Sequence, residues 1–381
     1  MNCNCINPSK KRNSRQLLNY GHLTASLPIL NNLDVEQCLE CGIVFTPNYP
    51  QGPEEISIIN KTLGVTFDTG KKRAEQKIQV VEKILNFAKI QDFGMVDVGG
   101  GAGHFCEFAR SQGFQAYNFE PFSENTEEHI LSDVAMKLSS SNIVLTMFHV
   151  LEHVVDPVSW IGSLVKDIKK DFENIYVLIE VPVIELETPF SDDPTPYYAP
   201  FHTRHFSIET ARALLYSCGL EVIGEKAASD YNGYFFLTHH SHTKEVYQID
   251  VYKEIELQDN YLGNRKNSME FLRHSLEAAS NGISCVVFWG AGIGYDFFIQ
   301  QFGDIFKGIQ SITVDKSTER QVREVESPEI LRELFKIYES ILIIPTSFAK
   351  SAEIIDEAAS IAATEKYNSI LYFDYINVRA Y

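Results

Sequence analysis

Apolar positions follow two rhythms along this chain. Between residues 71 and 90 they recur at helical spacing, with Ile78, Val81, Ile84, Leu85 and Ala88 on one face and Lys and Glu opposite. From residue 95 onward, short apolar runs alternate with helix-compatible stretches. Strands are predicted over 95–98, 116–120, 129–132, 142–148 and 174–181, with helices over 104–112 and 157–170. Such alternation predicts a parallel, doubly wound sheet. A helix over 208–218, ended by Gly219, and two late strands near 221–225 and 234–239 bring the expected sheet to seven strands. Residues 244–279 read as largely helical and lead into a second strand–turn–helix unit. It has a strand over 284–289, the glycine turn Gly290–Gly294, a strand over 310–314 ending at Asp315, and another over 340–344. Residues 1–65 show few periodic segments. The expected class is therefore α/β. A seven-stranded Rossmann-like domain over 66–243 lies between a small N-terminal module over 1–65 and a C-terminal Rossmann-like α/β domain over 244–381.

The junction of the first strand with its helix carries the strongest chemical signal. The apolar run Met95–Val98 contains Asp97 and enters Gly99-Gly100-Gly101-Ala102-Gly103. A turn of this kind lets a ligand lie against bare backbone, with N–H groups of the following helix aimed at it. Roughly 20 residues on, the next strand ends in Glu120, where a carboxylate can accept hydrogen bonds from a ribose diol. Two cofactor classes use turns like this. A dinucleotide site reads G-x-G-x-x-G and brings a pyrophosphate to the helix end. Here an acid precedes the glycines, which favours a cationic ligand. A glycine turn that binds nothing is the third reading. The second turn, Gly290–Gly294 with Asp315, admits a nucleotide site or a purely structural use of glycine in helix–strand packing.

Composition narrows the partners. With 381 residues the chain exceeds a usual single domain, and its 44% hydrophobic content suffices for more than one core. A net charge of −18 argues against coating nucleic acid or an anionic membrane, both of which need a basic field. No apolar run reaches the length of a membrane span, and the N-terminal residues lack a signal-peptide core, so a cytoplasmic location is expected. Of the seven cysteines, Cys3, Cys5, Cys38 and Cys41 crowd the first 41 residues. In a reducing compartment two close pairs suggest tetrahedral zinc rather than disulfides. The Cys38-x-x-Cys41-Gly spacing suits a zinc knuckle, while the Cys3-x-Cys5 spacing is shorter than usual, and free thiols are the other reading. Cys106, Cys218 and Cys285 read as small core residues.

Further polar groups cluster where a doubly wound sheet places ligands, at the carboxyl ends of its strands. The fourth predicted strand runs into His149-Val150-Leu151-Glu152-His153-Val154-Val155-Asp156-Pro157, and the fifth ends Glu180-Val181-Pro182. Later, Tyr197-Tyr198-Ala199-Pro200-Phe201-His202-Thr203-Arg204-His205-Phe206-Ser207 offers stacking surface, donors and a base that titrates near neutrality. Ser207 is a candidate helix N-cap with Thr210 three residues on.

The Asp97-x-Gly99-x-Gly101-x-Gly103 stretch closely resembles the E/D-x-G-x-G-x-G motif of class I S-adenosylmethionine (SAM) methyltransferases. The His149–Pro157 segment resembles the HVLEHV-DP phrase of many of them. Taken together, the chain resembles a three-domain SAM-dependent methyltransferase family that includes sugar C-methyltransferases, with an N-terminal zinc unit and a C-terminal Rossmann-like domain. The resemblance spans nearly the whole chain. It implies that Asp97, Gly99, Gly101, Gly103, His149 and Glu152 hold the methionine end of SAM, Glu120 its ribose and Asp133 its adenine. It also implies that zinc is bound by Cys3, Cys5, Cys38 and Cys41. In the family a histidine of an HEH–YFS-like loop is the general base, and His202 matches it, with His149 and His205 in reserve. Phe201 stands where the family has glutamate, and His205 where it has tyrosine. The expected substrate is a small metabolite, an anionic nucleotide-linked sugar, with Arg204 a candidate partner for its anionic group. O- or N-methylation of a glycan or natural product is the nearest rival reading. NAD-dependent oxidoreduction at Gly290–Gly294 and a non-catalytic scaffold are the readings from other classes.

Overall fold

The structure, a computed structural model, describes residues 13–21, 28–50, 67–120, 131–187, 197–228, 233–241, 247–316, 324–347, 350–367 and 369–375. They fall into two compact units. One comprises Met1–Asn19, Leu33–Glu187 and Pro200–Gln258; the other comprises Tyr20–Asn32, Thr188–Ala199 and Asp259–Tyr381.

The first unit opens with strands β1 (Ser14–Asn19), β2 (Asp34–Cys38) and β3 (Val44–Phe45). Helix α1 (Phe67–Phe87) precedes β4 (Gly94–Val98), α2 (His104–Ser111), β5 (Ala116–Phe119) and α3 (Leu131–Ala135). Then come β6 (Asn142–Phe148), α4 (Pro157–Ile168), β7 (Asn174–Pro182) and β8 (Arg204–His205). The series continues with α5 (Ile208–Ser217), β9 (Leu220–Ala227), β10 (Gly233–His240) and the long helix α6 (Val251–Ser280), which runs on into the second unit. Six of these strands form the main sheet in the order β5-β4-β6-β7-β10-β9.

Both faces of this sheet are apolar because its central strands are covered on both sides. On β4, β6 and β7 alternate residues divide cleanly. Val96, Val98, Leu145, Met147, Val177 and Ile179 pack with α3, α4 and α5. Met95, Val144, Phe148 and Leu178 pack with α1 and α2. The period-2 pleat therefore fixes which helices each strand residue meets. Asp97, Thr146 and Glu180 share the parity of Met95, Val144 and Leu178, so the pleat turns them toward α1 and α2 at the carboxyl ends of three adjacent strands.

Two expectations are corrected here. The described residues give six strands in this sheet rather than seven. The strand expected over 129–132 begins beyond the described residues and gives way to helix α3. There Leu131, Val134 and Ala135 are buried at i, i+3, i+4 and Asp133 is exposed, which is helical spacing. The sheet is also not wholly parallel. β10 inserts between β7 and β9 and runs antiparallel to both. The short stretch between β9 and β10 cannot carry the crossover that a parallel pair requires.

A second sheet in the same unit has the order β1-β2-β3-β8, all antiparallel. It joins the N-terminal segment to Arg204–His205. The second unit holds β11 (Cys285–Trp289), α7 (Ile293–Phe302), β12 (Gln310–Val314), α8 (Leu331–Ile337), β13 (Ile341–Pro345), α9 (Ser351–Glu365) and β14 (Ile370–Tyr372). Its sheet, β12-β11-β13-β14, is parallel throughout, as the alternating pattern implies. Among the described residues no helix is long and apolar enough to cross a membrane.

Candidate active site

The site forms where β4, β6 and β7 end. Asp97 is 2% exposed. It lies beside Thr146 in the β4–β6 register, and the threonine hydroxyl donates to its Oδ1 at 2.7 Å. Burial raises the Asp97 carboxyl to about 7, against the lowering effects of that hydroxyl and of Lys77. The turn then wraps over the acid. A Cβ on Gly100 would sit 2.2 Å from Asn118 Oδ1 and 2.3 Å from Asp97 Oδ2, so only a bare backbone passes between them. Gly99 adopts φ +76°, and a Cβ there would meet the Val150 side chain at 2.8 Å. The Gly101 N–H donates to Glu120 Oε2 at 3.0 Å, while Asn118 Nδ2 donates to the Gly101 carbonyl at 3.0 Å. Gly103 starts helix α2. Asp97, Gly99, Gly101, Gly103 and Glu120 are thus gathered around one turn.

His149 follows β6 directly and holds φ +56°, uncommon for a residue with a Cβ. That conformation sets its ring between two fully buried carboxylates. Nδ1 lies 3.1 Å from Glu152 Oε1 and Nε2 lies 3.3 Å from Glu180 Oε1. Burial disfavours charge on this imidazole, but Glu180 and Glu152 outweigh it and raise it to about 9. His149 is therefore a held imidazolium at neutral pH. Lys77 from α1 lies 3.5 Å from Glu180 Oε2 and over the Phe148 ring at 4.5 Å.

His202 lies beyond this clamp. Its ring meets His153 edge-on at 4.9 Å and lies 5.8 Å from the His205 ring. Burial, then the neighbouring imidazoles of His153, His205 and His149, holds His202 well below the usual histidine range, so it is neutral. Its backbone is secured from the N-terminal segment. Thr46 Oγ1 donates to the His202 carbonyl at 3.0 Å, Thr46 N to the Thr203 carbonyl at 3.0 Å, and the Tyr49 hydroxyl to the Phe201 carbonyl at 3.1 Å. Val44 and Phe45 of β3 pair with His205 and Arg204 of β8. Ser207 caps α5 as expected, accepting from Thr210 N at 3.0 Å within a reciprocal capping box.

Several expected roles change. His205 is 2% exposed, and burial pulls it down to about 3, so it is a neutral packed ring within the β3–β8 pair. Arg204 is 4% exposed and donates to the carbonyls of Val154 at 2.7 Å and Val155 at 2.8 Å. It braces the turn after β6 and does not present an exposed cation. Tyr197 and Tyr198 are buried in the second unit, edge-on to Tyr261, and so serve packing. Asp133 is exposed on α3, not at a strand end. Cys3 and Cys5 lie outside the described residues. Cys38 and Cys41 are buried, with the Glu40 N–H aimed at Cys38 Sγ at 3.3 Å and Gly42 at φ +75°, a knuckle-like turn that suits half of a tetrahedral thiolate site. In the second unit, Asp315 Oδ2 accepts from Ala291 N at 2.9 Å. A Cβ on Gly290 would lie 2.6 Å from Ser347 N, so Gly290 serves close packing, whereas a Cβ on Gly292 would meet nothing within 4 Å. Asn118 and Lys77 belong to the first site and were not singled out for it by sequence, whereas His153 was read there as a candidate and Gly100 only as part of the glycine run. A polar residue inside the apolar run 116–119, two positions before Glu120, is the signal that could have found Asn118.

Residues 71–223 match a family model described as a methyltransferase domain. Among solved structures, magnesium protoporphyrin IX methyltransferase from Synechocystis aligns at 12% identity, covering 46% of this chain and 89% of that one, with a TM-score of 0.31. The 1,6-didemethyltoxoflavin-N1-methyltransferase of Burkholderia thailandensis aligns at 12% identity over 52% and 96%, TM-score 0.33. The N,N-8-amino-8-demethyl-D-riboflavin dimethyltransferase of Streptomyces davawensis aligns at 16% over 50% and 60%, TM-score 0.32. Likenesses this distant say nothing of the acceptor. No curated protein matches the chain.

Proposed function

We propose that residues 71–223, which match a methyltransferase-domain model, use SAM, and that this chain transfers the SAM methyl group to a nucleotide-linked sugar or similar small metabolite, with His202 as general base. The observation that carries the reading is the buried Asp97 carboxylate under the bare Gly100 backbone, with Glu120 at the tip of the neighbouring strand. Asp97 and the Gly99–Gly103 backbone hold the cationic methionine end, and Glu120 holds the ribose hydroxyls. SAM, when bound, supplies a methyl group already activated on a sulfonium. The chain's own task is to place the acceptor in line and to remove one proton. His202 is neutral at physiological pH, so its lone pair takes the proton that the acceptor carbon or oxygen gives up as it gains the methyl. His149 already holds a proton between Glu152 and Glu180 and acts as a fixed cation rather than a base. The nucleotide-sugar assignment rests on the sequence resemblance. Incubation with labelled SAM and a panel of nucleotide sugars, read by product mass, tests it, and labelling confined to glycans or other natural products removes it. Structural zinc on Cys3, Cys5, Cys38 and Cys41 belongs to the same proposal, supported by the Glu40 N–H that donates to Cys38 Sγ.

Two binding measurements test the cofactor assignments. Loss of the Glu120 carboxylate should weaken SAM binding about 10- to 100-fold, the equivalent of about 1.5–3 kcal/mol for hydrogen bonds to a charged group. An unchanged Kd for Glu120→Ala in calorimetry removes the ribose assignment. Asp97 must ionise to meet a cation and does so near pH 7. Protonation costs affinity below that value, so SAM binding should strengthen about tenfold between pH 6 and pH 8. Asp97→Asn should flatten that profile, and a profile left unchanged by the substitution assigns the titration elsewhere.

A further inference from the structure

We infer that Glu152, His153 and His202 form a binding site for one divalent transition-metal ion of the zinc class, separate from the cysteines. Each residue offers one ligand atom, and these atoms lie within 4.8 Å of one another. Glu152 is fully buried. Its Oε1 faces His149 Nδ1 at 3.1 Å, but its Oε2 has no hydrogen-bond partner among the described residues. A buried carboxylate oxygen left in this state is costly unless a donor or cation reaches it. His153 is already set for the task. Its Nδ1 lies 3.0 Å from the Phe201 carbonyl, the contact by which a backbone oxygen fixes a metal-binding imidazole's tautomer and leaves Nε2 with its lone pair outward. The His202 ring stands edge-on to the His153 ring at 4.9 Å, and the Thr46 hydroxyl on its carbonyl fixes the backbone that carries it.

Two imidazoles and one carboxylate suit zinc or iron(II) and leave coordination positions open for water or an acceptor oxygen. Ligand atoms around such an ion stand about 3.3 Å apart, given bonds of about 2.1 Å. The present spacing therefore closes by about 1.5 Å at most, within the range of small side-chain rotations. Glu152 and His153 sit on one 3-10 turn, which holds their backbones together while His202 comes from a separate loop. The consequence for catalysis is direct. The ion and the acceptor's proton compete for the same His202 lone pair, so the metal-loaded chain loses His202 as base.

Cobalt(II) titration of the chelator-stripped chain, followed by its visible d–d absorption, tests the site without reference to activity. One equivalent should bind with nitrogen and oxygen ligands, and that signal should persist in the Cys38→Ser/Cys41→Ser variant. Glu152→Gln and, independently, His202→Asn should weaken it at least about tenfold, the minimum seen even for changes to groups that only support a ligand. Far-ultraviolet circular dichroism shows which variants fold. If the stripped native chain gives only the thiolate charge-transfer band of a cysteine site, or if either folded variant binds cobalt as the native chain does, the site is overturned. Failure of SAM binding in Glu120→Ala bears on the cofactor assignment alone and leaves this result intact.

Discussion

Gly100→Ala is expected to abolish SAM binding at concentrations that saturate the native chain, and to destabilise the fold by about 1–3 kcal/mol as an overpacked substitution. The added Cβ would fall 2.2 Å from Asn118 Oδ1 and 2.3 Å from Asp97 Oδ2. Neither group can withdraw freely. Asp97 Oδ1 is tied to Thr146 and Asn118 Nδ2 to the Gly101 carbonyl, and both side chains are short and stand on adjacent strands. The turn must therefore lift away from the acid beneath it, and the methionine end would lose the backbone and the carboxylate together. Calorimetry with SAM, set beside thermal unfolding, separates the two effects. Retained affinity in a folded Gly100→Ala protein means that the cofactor does not lie on this turn.

The second large effect is expected at His202. His202→Ala should lower kcat by about 100- to 10,000-fold, the range for loss of a positioned acid–base group, with SAM affinity within about twofold of native. The asymmetry matters, because the proposed function puts His202 on the acceptor side and not at the glycine turn. His149→Gln should behave differently. It removes the cation between Glu152 and Glu180, leaving two buried carboxylates with one fewer partner, so stability falls along with rate. A loss of less than tenfold in His202→Ala would move the base elsewhere.

Much of the central sheet was legible in the sequence. The runs that became β4, β6 and β7 are apolar on both faces, and burial on both faces writes a continuous signal. Strand direction leaves no such trace, so the antiparallel β10 had to be seen. The segment near Leu131 is too short for periodicity to decide between strand and helix, and tertiary packing made it α3. At the site, Asp97, the alternate glycines and Glu120 were readable because their spacing along the chain is their spacing in the turn. Gly100 was hidden as the unspecified position of the motif; only the nearness of Asn118, from another strand, shows that it must be glycine. Lys77 reads as a solvent-facing helix residue, yet it sits over Phe148 and beside Glu180. The state of each histidine was likewise illegible, because it depends on groups distant in sequence. His149 is raised by Glu180 and Glu152, while His202 is lowered by burial and neighbouring rings.

The antiparallel pairing of β3 with β8 has a consequence for how acceptor choice can change. The segment bearing His202 is edged by Val44–Tyr49, and Thr46 reaches it across 156 residues of sequence. These two stretches are one structural unit, joined by strand pairing and side-chain hydrogen bonds. Grafting 197–207 from a relative into this chain without the matching 44–49 should leave the graft's carbonyls unmet and its histidine misplaced, whereas moving both together should carry acceptor preference with them.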